Sequence, residues 1–328
     1  MHKTSWGIVM TAREPAQLVV SNVIFHLSAG ASEVLVYLDD PQDPVADMLI
    51  PIKGCRVIRC DAAHWGRLAN GRRPKRQTRR QSLNATDAYQ NSDLDWLIHL
   101  DADEFVYQKR PLAEELFHAP RTPGYITLPV RERVFVAKHQ EALFDGAFRP
   151  PFLGRDAFLP ALYGELAPFL LHGMTGHAAG KACVPVGQGL RLAIHAPRTA
   201  ENDKLPPLHS TSSVLLHYDG LTPLHWVLKL LRYATQNPEG MVGPHRMAQL
   251  EFTKDCRSLD ELLEFHDMLK AVDGDQNARL TALGMLEHLP FDIGNEARQA
   301  LDSLGLSLCA ADFDREIKTR NQDLLAGL

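Results

Sequence analysis

Trp96-Leu97-Ile98-His99-Leu100-Asp101-Ala102-Asp103-Glu104-Phe105 is the stretch of sequence that decides the fold. It begins as an apolar run typical of a buried strand and ends abruptly in three acidic side chains. Residues two apart in a strand point the same way, so we expect Asp101 and Asp103 to share a face, roughly 6.5 Å apart. Such carboxylates repel each other and are costly to bury without a cation. Because hard divalent ions prefer oxygen ligands, the motif predicts a metal–diphosphate site; the alternative is a loop that caps a strand.

The composition is that of a soluble globular protein. The chain has 328 residues, a length that suits one large domain or a domain with an appendage. Of these residues, 45% are hydrophobic and 23% are charged. Its net charge of −5 disfavours a surface built to hold nucleic acid. Five scattered cysteines without C-x-x-C indicate reduced thiols. With no evident secretory signal or membrane-length apolar segment, we expect a cytoplasmic protein, which leaves room for a peripheral membrane contact.

The first half of the chain alternates strand-like and helix-like segments, which predicts βαβ units and a mostly parallel sheet flanked by helices. From about residue 243 the apolar spacing is helical to the end. We therefore predict an α/β domain over residues 1–240 and a helical C-terminal region over residues 241–328. Individual strands are predicted near residues 6–12, 34–38, 56–59, 125–130, 182–186, 190–194 and 213–216, helices near 14–30, 45–49, 75–91 and 112–117, and long loops over 135–180.

Several parts of this order carry a family resemblance. They are a first strand ending in Thr11-Ala12-Arg13, a second ending in Asp39-Asp40, a basic helix that contains an asparagine, the Asp101-Ala102-Asp103-Glu104-Phe105 motif, and the later Gly180-Lys181, His195 and His217-Tyr218. Together they resemble a GT-A glycosyltransferase of the family 2-related, family 92-like group, whose hallmark is D-x-D-E-F at this place. The resemblance spans about residues 5–235. It implies a GT-A fold, Mn²⁺ or Mg²⁺ as cofactor, and transfer of a sugar from a nucleotide-diphosphate-sugar donor to an acceptor hydroxyl.

The resemblance also implies roles for the acidic motif. Asp103 would ligate the metal directly, and Asp101 would contact the ribose or reach the metal through water. Glu104 would orient the loop or bind the acceptor. The metal would bridge the diphosphate and offset the charge that develops on the leaving group. Ligands of open α/β sheets bind outside the carboxyl ends of the strands, where these acids are expected.

The ends of the first two strands supply further candidates for the nucleotide site. Thr11 and Arg13 follow the first strand and Asp39 follows the second, so a doubly wound sheet would place them beside the acidic motif. By resemblance, Asp39 binds the nucleotide base or ribose and the Thr11 region lines the base pocket. The alternative is that Asp39 and Asp40 begin an exposed turn.

A basic run precedes the motif. Its members are Arg67, Arg72, Arg73, Lys75, Arg76, Arg79 and Arg80. On a helix, Arg80 aligns with Arg76 and with Asn84 at i,i+4 spacing, so this face would aim at the donor diphosphate or at an anionic acceptor, with Arg80 and Asn84 as the best candidates. The acceptor would be a glycan, a polysaccharide or a lipid-linked molecule. The favoured interpretation of the run is a solvated face with one or two functional members. Because no aromatic side chains interleave the charges, a nucleic-acid partner is disfavoured.

Three later residues could complete the site. GT-A enzymes commonly supply a late histidine to the metal, for which His195 is the first candidate and His217 the second. A lone histidine is, however, more often structural. Lys181 follows Gly180 in a segment that is not a Walker A loop, and it would neutralise a phosphate as a point charge.

We expect the reaction to invert the anomeric centre, which requires a carboxylate to take the proton of the acceptor hydroxyl. The candidates are Glu132, Asp145, Asp156 and Glu165, and the sequence does not separate them.

Three other classes compete with the transferase. A haloacid-dehalogenase-type phosphatase also carries D-x-D after a buried strand, but there the motif usually opens the domain and Thr or Val commonly stands where this chain has Phe105. A non-catalytic carbohydrate- or partner-binding module could keep the same sheet, although the intact Asp101 and Asp103 weigh against it. A sugar nucleotidyltransferase normally has a glycine-rich loop after the first strand, which residues 10–15 lack.

Overall fold

A computed structural model describes residues 4–121, 124–136, 142–236 and 242–326. The strands are β1 (Trp6–Ala12), β2 (Glu33–Leu38), β3 (Cys55–Arg59), β4 (Trp96–His99), β5 (Glu104–Gln108), β6 (Tyr125–Leu128), β7 (Val130–Val134), β8 (Ala147–Arg149), β9 (Lys181–Pro185), β10 (Arg191–Leu192), β11 (Pro197–Arg198), β12 (Pro207–His209) and β13 (Ser213–His217). The helices are α1 (Ala16–Ser28), α2 (Val45–Leu49), α3 (Ala62–Ala69), α4 (Gln77–Gln90), α5 (Leu112–His118), α6 (Leu159–Tyr163), α7 (Pro223–Gln236), α8 (Pro244–Asp255), α9 (Leu259–Lys270), α10 (Gly274–Ala282), α11 (Asn295–Ser303), α12 (Ala310–Arg320) and α13 (Gln322–Leu325).

The chain forms two compact units, each assembled from three segments. Unit 1 takes the described residues of Met1–Pro129, Ala179–Leu215 and Ile293–Leu306. Unit 2 takes those of Val130–Ala178, Leu216–Asp292 and Ser307–Leu328. The boundaries of these two units differ from those of the predicted domains 1–240 and 241–328. The assignment of a catalytic domain and a helical C-terminal region stays a prediction. The partition differs because α11, late in the chain, packs against α1 of unit 1 and buries Ala297 and Leu301.

Unit 1 is built on a seven-stranded sheet of order β12-β6-β9-β4-β1-β2-β3. β1 pairs in parallel with β2 and with β4, and β2 pairs in parallel with β3. β9 runs antiparallel to both of its neighbours, β4 and β6. The predicted α/β class, with a mostly parallel central sheet flanked by helices, is therefore confirmed.

Continuous apolar runs explain the central strands of this sheet. Every residue of β1 and of β4 is buried, as expected for parallel strands that are covered on both faces. On one face, Ala85 and Ala88 of α4 join Val9, Leu35 and Leu97 of the strands in a single apolar cluster. This packing fixes α4 against the sheet, so that polar residues of α4 can reach the carboxyl ends of the strands.

Unit 2 combines a small antiparallel pair with a helical core. β7 pairs with β8, and Trp226, Leu262 and Phe265 lie in an apolar cluster to which α7 and α9 contribute. The region 135–180, predicted as long loops, also contains β8, α6 and two short 3₁₀ turns. The predicted helical content of the C-terminal region is confirmed by α8 to α13. Within the described ranges, no helix has the length and apolarity that a membrane crossing requires.

Candidate functional site

The carboxyl ends of β1, β2 and β4 bring three predicted segments to one edge of the unit 1 sheet. The Asp39 backbone N–H donates to the Ala12 carbonyl, and that of Leu100 donates to the Val9 carbonyl, so pairing continues to the strand ends. Thr11, near the end of β1, and Asp39 and Asp101, which come after β2 and β4, therefore lie at the same edge. This is the edge at which open α/β sheets bind ligands.

Asp39 is held by two arginines of the basic run. Arg80 donates from Nε and Nη2 to the two Asp39 oxygens, at 2.7 and 2.8 Å, and Arg73 donates to Oδ2 at 2.7 Å. The Arg80 and Asp39 side chains are 7% and 5% exposed. Arg80 also donates to the carbonyls of Pro74 and Lys75, so its guanidinium is engaged inside the protein. Its predicted role in anion binding stays a prediction.

Asn84 lies at the centre of a second buried network. Its amide donates to Thr11 Oγ1 at 3.0 Å, and its Oδ1 lies 2.8 Å from His64 Nε2. Asn84 is fully buried and Thr11 is 9% exposed, whereas Arg13, the third predicted residue of this region, is exposed. The Asn84 side chain therefore joins α4 to the end of β1 and to α3.

The acidic motif does not continue the strand. β4 ends at His99, and Asp101 to Asp103 form a turn in which the Asp101 carbonyl accepts the Glu104 backbone N–H at 3.1 Å. The Glu104 carboxylate in turn accepts the Asp101 backbone N–H at 2.8 Å. The expectation that Asp101 and Asp103 share a strand face is thus wrong, because strand alternation does not apply within a turn.

A buried lysine neutralises part of this acidic turn. Lys181 Nζ lies 2.9 Å from Asp101 Oδ2 and 3.1 Å from Glu104 Oε2, and Gln81 donates to Asp101 Oδ1. Burial alone would lower the pKa of Lys181, but the carboxylates of Asp101 and Glu104 raise it above its usual value. Burial would likewise raise the pKa of Asp101, yet Lys181 holds it below its usual range. The Lys181 ammonium, predicted to meet a phosphate, therefore meets two carboxylates.

Exposure differs sharply within the motif. Lys181 and Glu104 are fully buried and Asp103 is 6% exposed, whereas the Asp101 side chain is 29% exposed. Asp101 accepts one side-chain hydrogen bond on each oxygen, which leaves a lone pair on each for a further ligand. Asp101 is accordingly the member of the motif that is most open to a ligand.

Two α1 residues that sequence reasoning missed hold the acidic turn in place. The Asn22 amide donates to the carbonyls of Ala102 and Glu104, at 2.9 and 2.8 Å. His26 accepts the Val106 backbone N–H on Nε2 and donates from Nδ1 to the Asn22 carbonyl. Burial lowers the pKa of His26 to about 4, so the ring is neutral at pH 7. No local pattern in the apolar α1 segment marks either residue as functional.

His195, the first choice for a late metal ligand, lies near Lys181 in unit 1. Its Nδ1 is 3.3 Å from the Gly180 carbonyl, to which it donates. Metal-binding histidines commonly donate their other N–H to a backbone carbonyl in this way. His195 also lines a small cavity with the buried His99, whose pKa burial lowers to about 4.

The remaining predicted residues belong to unit 2. Glu132 is fully buried, and its oxygens accept hydrogen bonds from the Thr175 backbone and hydroxyl and from the Gly176 backbone N–H. Lys270 Nζ lies 3.7 Å from Glu132 Oε1. Burial would raise the pKa of Glu132, but Lys270 holds it below its usual range. This network of a carboxylate, a threonine and a lysine was not predicted from the sequence.

The other unit 2 candidates have different surroundings. His217 stacks on the His177 ring with the centroids 4.7 Å apart. Asp145 and Glu165 are exposed, and the side chain of Asp156 lies outside the described residues. Among the proposed bases that are described, Glu132 is therefore the one in a buried, charge-compensated environment.

Comparisons with known proteins find solved structures that are only distantly similar to this chain. Neither a family profile nor a curated protein matches the sequence. Residues 1–349 of S. aureus TarS in complex with UDP-GlcNAc are 9% identical, with 92% of this chain and 93% of that chain covered and a TM-score of 0.35. HddC from Yersinia pseudotuberculosis is 9% identical, with 65% and 93% covered and a TM-score of 0.34. GalNAc-T7 with UDP, GalNAc and Mn²⁺ is 13% identical, with 81% and 57% covered and a TM-score of 0.34.

The match to the longer S. aureus TarS chain covers 76% of this chain and 42% of that chain. At identities of 8–13% and TM-scores of 0.34–0.35, these likenesses assign neither a family nor an activity to the protein.

Proposed function

We propose that the protein is a metal-dependent GT-A glycosyltransferase that moves a sugar from a nucleotide-diphosphate donor to an acceptor hydroxyl with inversion. The observation that carries the proposal is the acidic turn at the carboxyl edge of the parallel strands, beside the Asp39–Arg80 pair. The edge offers carboxylate oxygens next to buried cations, which is the chemistry that a metal-bound diphosphate requires.

Charge supports a cation at the acidic turn. Asp101, Asp103 and Glu104 place three carboxylates in one short turn, and Lys181 is shared between Asp101 and Glu104. A divalent ion would add positive charge where these carboxylates lie close together. The metal ligands would be carboxylate oxygens, which suit Mg²⁺ and Mn²⁺. The Asp101 side chain is partly exposed, and each of its oxygens has a lone pair with which it could bind the metal.

The residues present therefore fit the proposed metal. Asp101 and Asp103 would hold it, with His195 as a third donor; His217, a residue of unit 2, stays the second choice from the sequence alone. When bound, the metal would act as a Lewis acid on the leaving diphosphate. Lys181 and Gln81 would orient Asp101 within the turn, and Asn22 would hold the turn by its backbone.

The nucleotide would lie beside the Asp39 cluster. Asp39 is fixed by Arg80 and Arg73, which leaves its carboxylate preorganised for a base or ribose hydroxyl. Thr11 ends the neighbouring strand β1 with Ala12, Arg13 follows it, and the Asn84 amide donates to Thr11. Preorganised groups of this kind bind without paying the cost of reorganisation.

Glu132 and Asp145 are our candidates for the base that takes the proton of the acceptor hydroxyl; Asp145 is exposed, whereas Glu132 is fully buried and would have to become accessible to the acceptor. Glu132 is held by three hydrogen-bond donors and by Lys270, so it is ionised and positioned at neutral pH. Glu104 would support the acidic turn from below rather than meet the acceptor, because it is fully buried.

The proposal is tested first by ligand-induced thermal stabilisation. The wild type, Asp101→Asn and Asp103→Asn are heated with MnCl₂, with UDP or another nucleoside diphosphate, and with both. Asp93→Asn, an exposed acid before β4, is the matched control. We expect Mn²⁺ and nucleotide to raise the melting temperature of the wild type and the control only.

Turnover then separates the remaining classes. The wild type should release nucleoside diphosphate from one member of a nucleotide-sugar panel, and the product anomer should be inverted. Binding without turnover would leave a carbohydrate-binding module, and hydrolysis of phosphomonoesters through an acyl-phosphate on Asp101 would indicate the phosphatase. Unchanged Mn²⁺ and nucleotide stabilisation in both variants would refute the proposed site.

A further inference from the structure

A strongly basic surface segment lies beside the proposed nucleotide site. From residue 62 to residue 86 the chain has no Asp or Glu but seven Arg and Lys, in a protein whose net charge is −5. Three of the seven have acidic partners, because Arg67 pairs with Asp87, and Arg73 and Arg80 pair with Asp39. The others are Arg72, Lys75, Arg76 and Arg79, called here the four free cations.

The four free cations are all exposed. Within the ranges that the structure describes, none of them has an ion pair or a side-chain hydrogen bond. Four cations within eight residues repel one another, and each pair at close range costs stability rather than adding to it. They are therefore available to an anionic partner.

These charges do not serve the helix that they adjoin. α4 begins at Gln77 with Arg76 in the N-cap position, without a capping side chain and with no acid in its first turn. The N-terminus of a helix carries about half a positive charge, so cations there are unfavourable by roughly 0.3–1 kcal/mol each. Helix stability would favour Asp, Ser or Glu at these places.

A donor diphosphate alone does not account for the charges. The diphosphate of a nucleotide sugar carries about two negative charges, and a divalent metal at the acidic turn would offset them. Arg73 and Arg80 already adjoin that site through Asp39. The four free cations are left over, and they continue the same segment away from Asp39.

The segment also lacks what a nucleic-acid site needs. Between Trp65, which is buried, and Tyr89, which is also buried, it contains no aromatic residue on which a base could stack. It can contact charged groups along a chain but offers no platform for bases. A polymer with regularly spaced anionic groups fits such a surface best.

We propose that the four free cations bind the acceptor, and that the acceptor is a polyanionic glycan with phosphate or carboxylate groups along its chain. That this glycan is the acceptor rests on the proposed function, whereas its binding to the four free cations can be measured independently of that function. Arg73 lies between Arg72 and Lys75, and Arg80 directly follows Arg79. Because both pair with Asp39, they would hold the four free cations near Asp39 and so keep the bound glycan next to the donor.

The test compares two variants of equal charge. The first, Arg72→Gln/Lys75→Gln/Arg76→Gln/Arg79→Gln, removes the four free cations. The second removes four exposed cations elsewhere in unit 1, as Lys53→Gln/Lys109→Gln/Arg110→Gln/Lys204→Gln. Both variants change the net charge by the same amount, so a general electrostatic effect would alter both alike.

Binding is measured by biolayer interferometry at low and at near-physiological salt. The probes are polygalacturonate for carboxylates, inorganic polyphosphate for phosphates, neutral dextran, poly(dT), and vesicles of phosphatidylcholine with phosphatidylglycerol. We expect the wild type and the second variant to bind one of the two anionic polymers in a salt-sensitive manner, and the first variant to bind about tenfold or more weakly. Which polymer binds identifies the anionic group.

Equal affinity of the two variants would overturn the inference, and so would tighter binding of poly(dT) or vesicles than of either anionic polymer. Thermal stabilisation by Mn²⁺ with UDP is recorded in parallel and should be the same in both variants. If that stabilisation is missing even in the wild type while the polymer result holds, the donor site fails and the polyanion site stands. The first variant should also be no less stable than the wild type.

Discussion

Replacing Lys181 by methionine should destabilise unit 1 strongly. Lys181 and Glu104 are both fully buried, and Asp101 is partly exposed, so the substitution leaves one carboxylate in the interior without its cation. Removing one partner of a buried ion pair costs about 3–5 kcal/mol. Most of that cost should come from Glu104, because water can solvate Asp101.

A double-mutant cycle separates this charge effect from packing. Lys181→Met/Glu104→Gln removes the stranded charge, so it should be more stable than Lys181→Met alone by about 1–3 kcal/mol. Lys53→Met, at an exposed lysine, is the control and should change the free energy of unfolding by less than about 0.5 kcal/mol. Urea unfolding followed by tryptophan fluorescence suits unit 1, which contains the buried Trp6, Trp65 and Trp96.

The pH dependence has a defined sign. The lowered pKa of Asp101 means that its share of the stability is present above about pH 4 and is lost as the pH falls through the lowered value. The raised pKa of Lys181 means that its share is present below about pH 10 and is lost only as the pH rises through the raised value. The cost of Lys181→Met should therefore be largest near neutral pH and should shrink on acidification. A variant as stable as the wild type at pH 7, or additive effects in the cycle, would refute the buried pair.

Three further predictions follow from single side chains of unit 1. Asn22→Ala should lower the free energy of unfolding by about 2–4 kcal/mol, because two buried carbonyls lose their donor. It should also weaken the thermal stabilisation by Mn²⁺ with UDP. A variant with the wild-type free energy of unfolding and the wild-type thermal stabilisation would contradict the proposed role of this residue. Burial lowers the pKa of His99 to about 4, below the value of about 6.5 in the unfolded chain. Its contribution to stability is therefore lost as the pH falls from about 6.5 to 4. In His99→Leu, the urea midpoint should fall less steeply over this pH range than in the wild type. Gly180→Ala places a Cβ 2.0 Å from the Leu128 carbonyl oxygen and should disrupt β9, whereas Gly66→Ala meets no atom within 4 Å in α3 and should stabilise by about 0.5–1 kcal/mol in the same assay.

The sequence predicts most of the regular elements of unit 1 because local periodicity determines them. β1, β2 and α2 occur where apolar runs and helical spacing place them, and α4 lies within the predicted range 75–91. The sequence does not predict α3, because a helix of eight residues is too short to show a clear helical period. β5 was missed because its first residues, Glu104 and Phe105, were assigned to the motif.

The site is less predictable than the fold because its partners are distant in sequence. The pattern identifies Asp101 and Asp39 as candidates, but it does not pair Asp101 with Lys181, 80 residues away, or Asp39 with Arg80, 41 residues away. Gln81 and Asn22 are ordinary polar residues of helices until tertiary packing turns them towards the acidic turn. Likewise, the four candidate bases are equivalent in sequence, and only burial distinguishes Glu132 from Asp145 and Glu165.

The late return of α11 to unit 1 has a consequence for biosynthesis. α1 is made early, but the helix that covers part of it is completed only when the chain has been translated past Ser303. At roughly 5–20 residues per second, the nascent chain must wait on the order of 15–55 s with that apolar surface exposed. A ribosome-associated chaperone that shields α1 during this interval would therefore raise the yield of native protein, and stalling translation before Ile293 would leave an aggregation-prone intermediate.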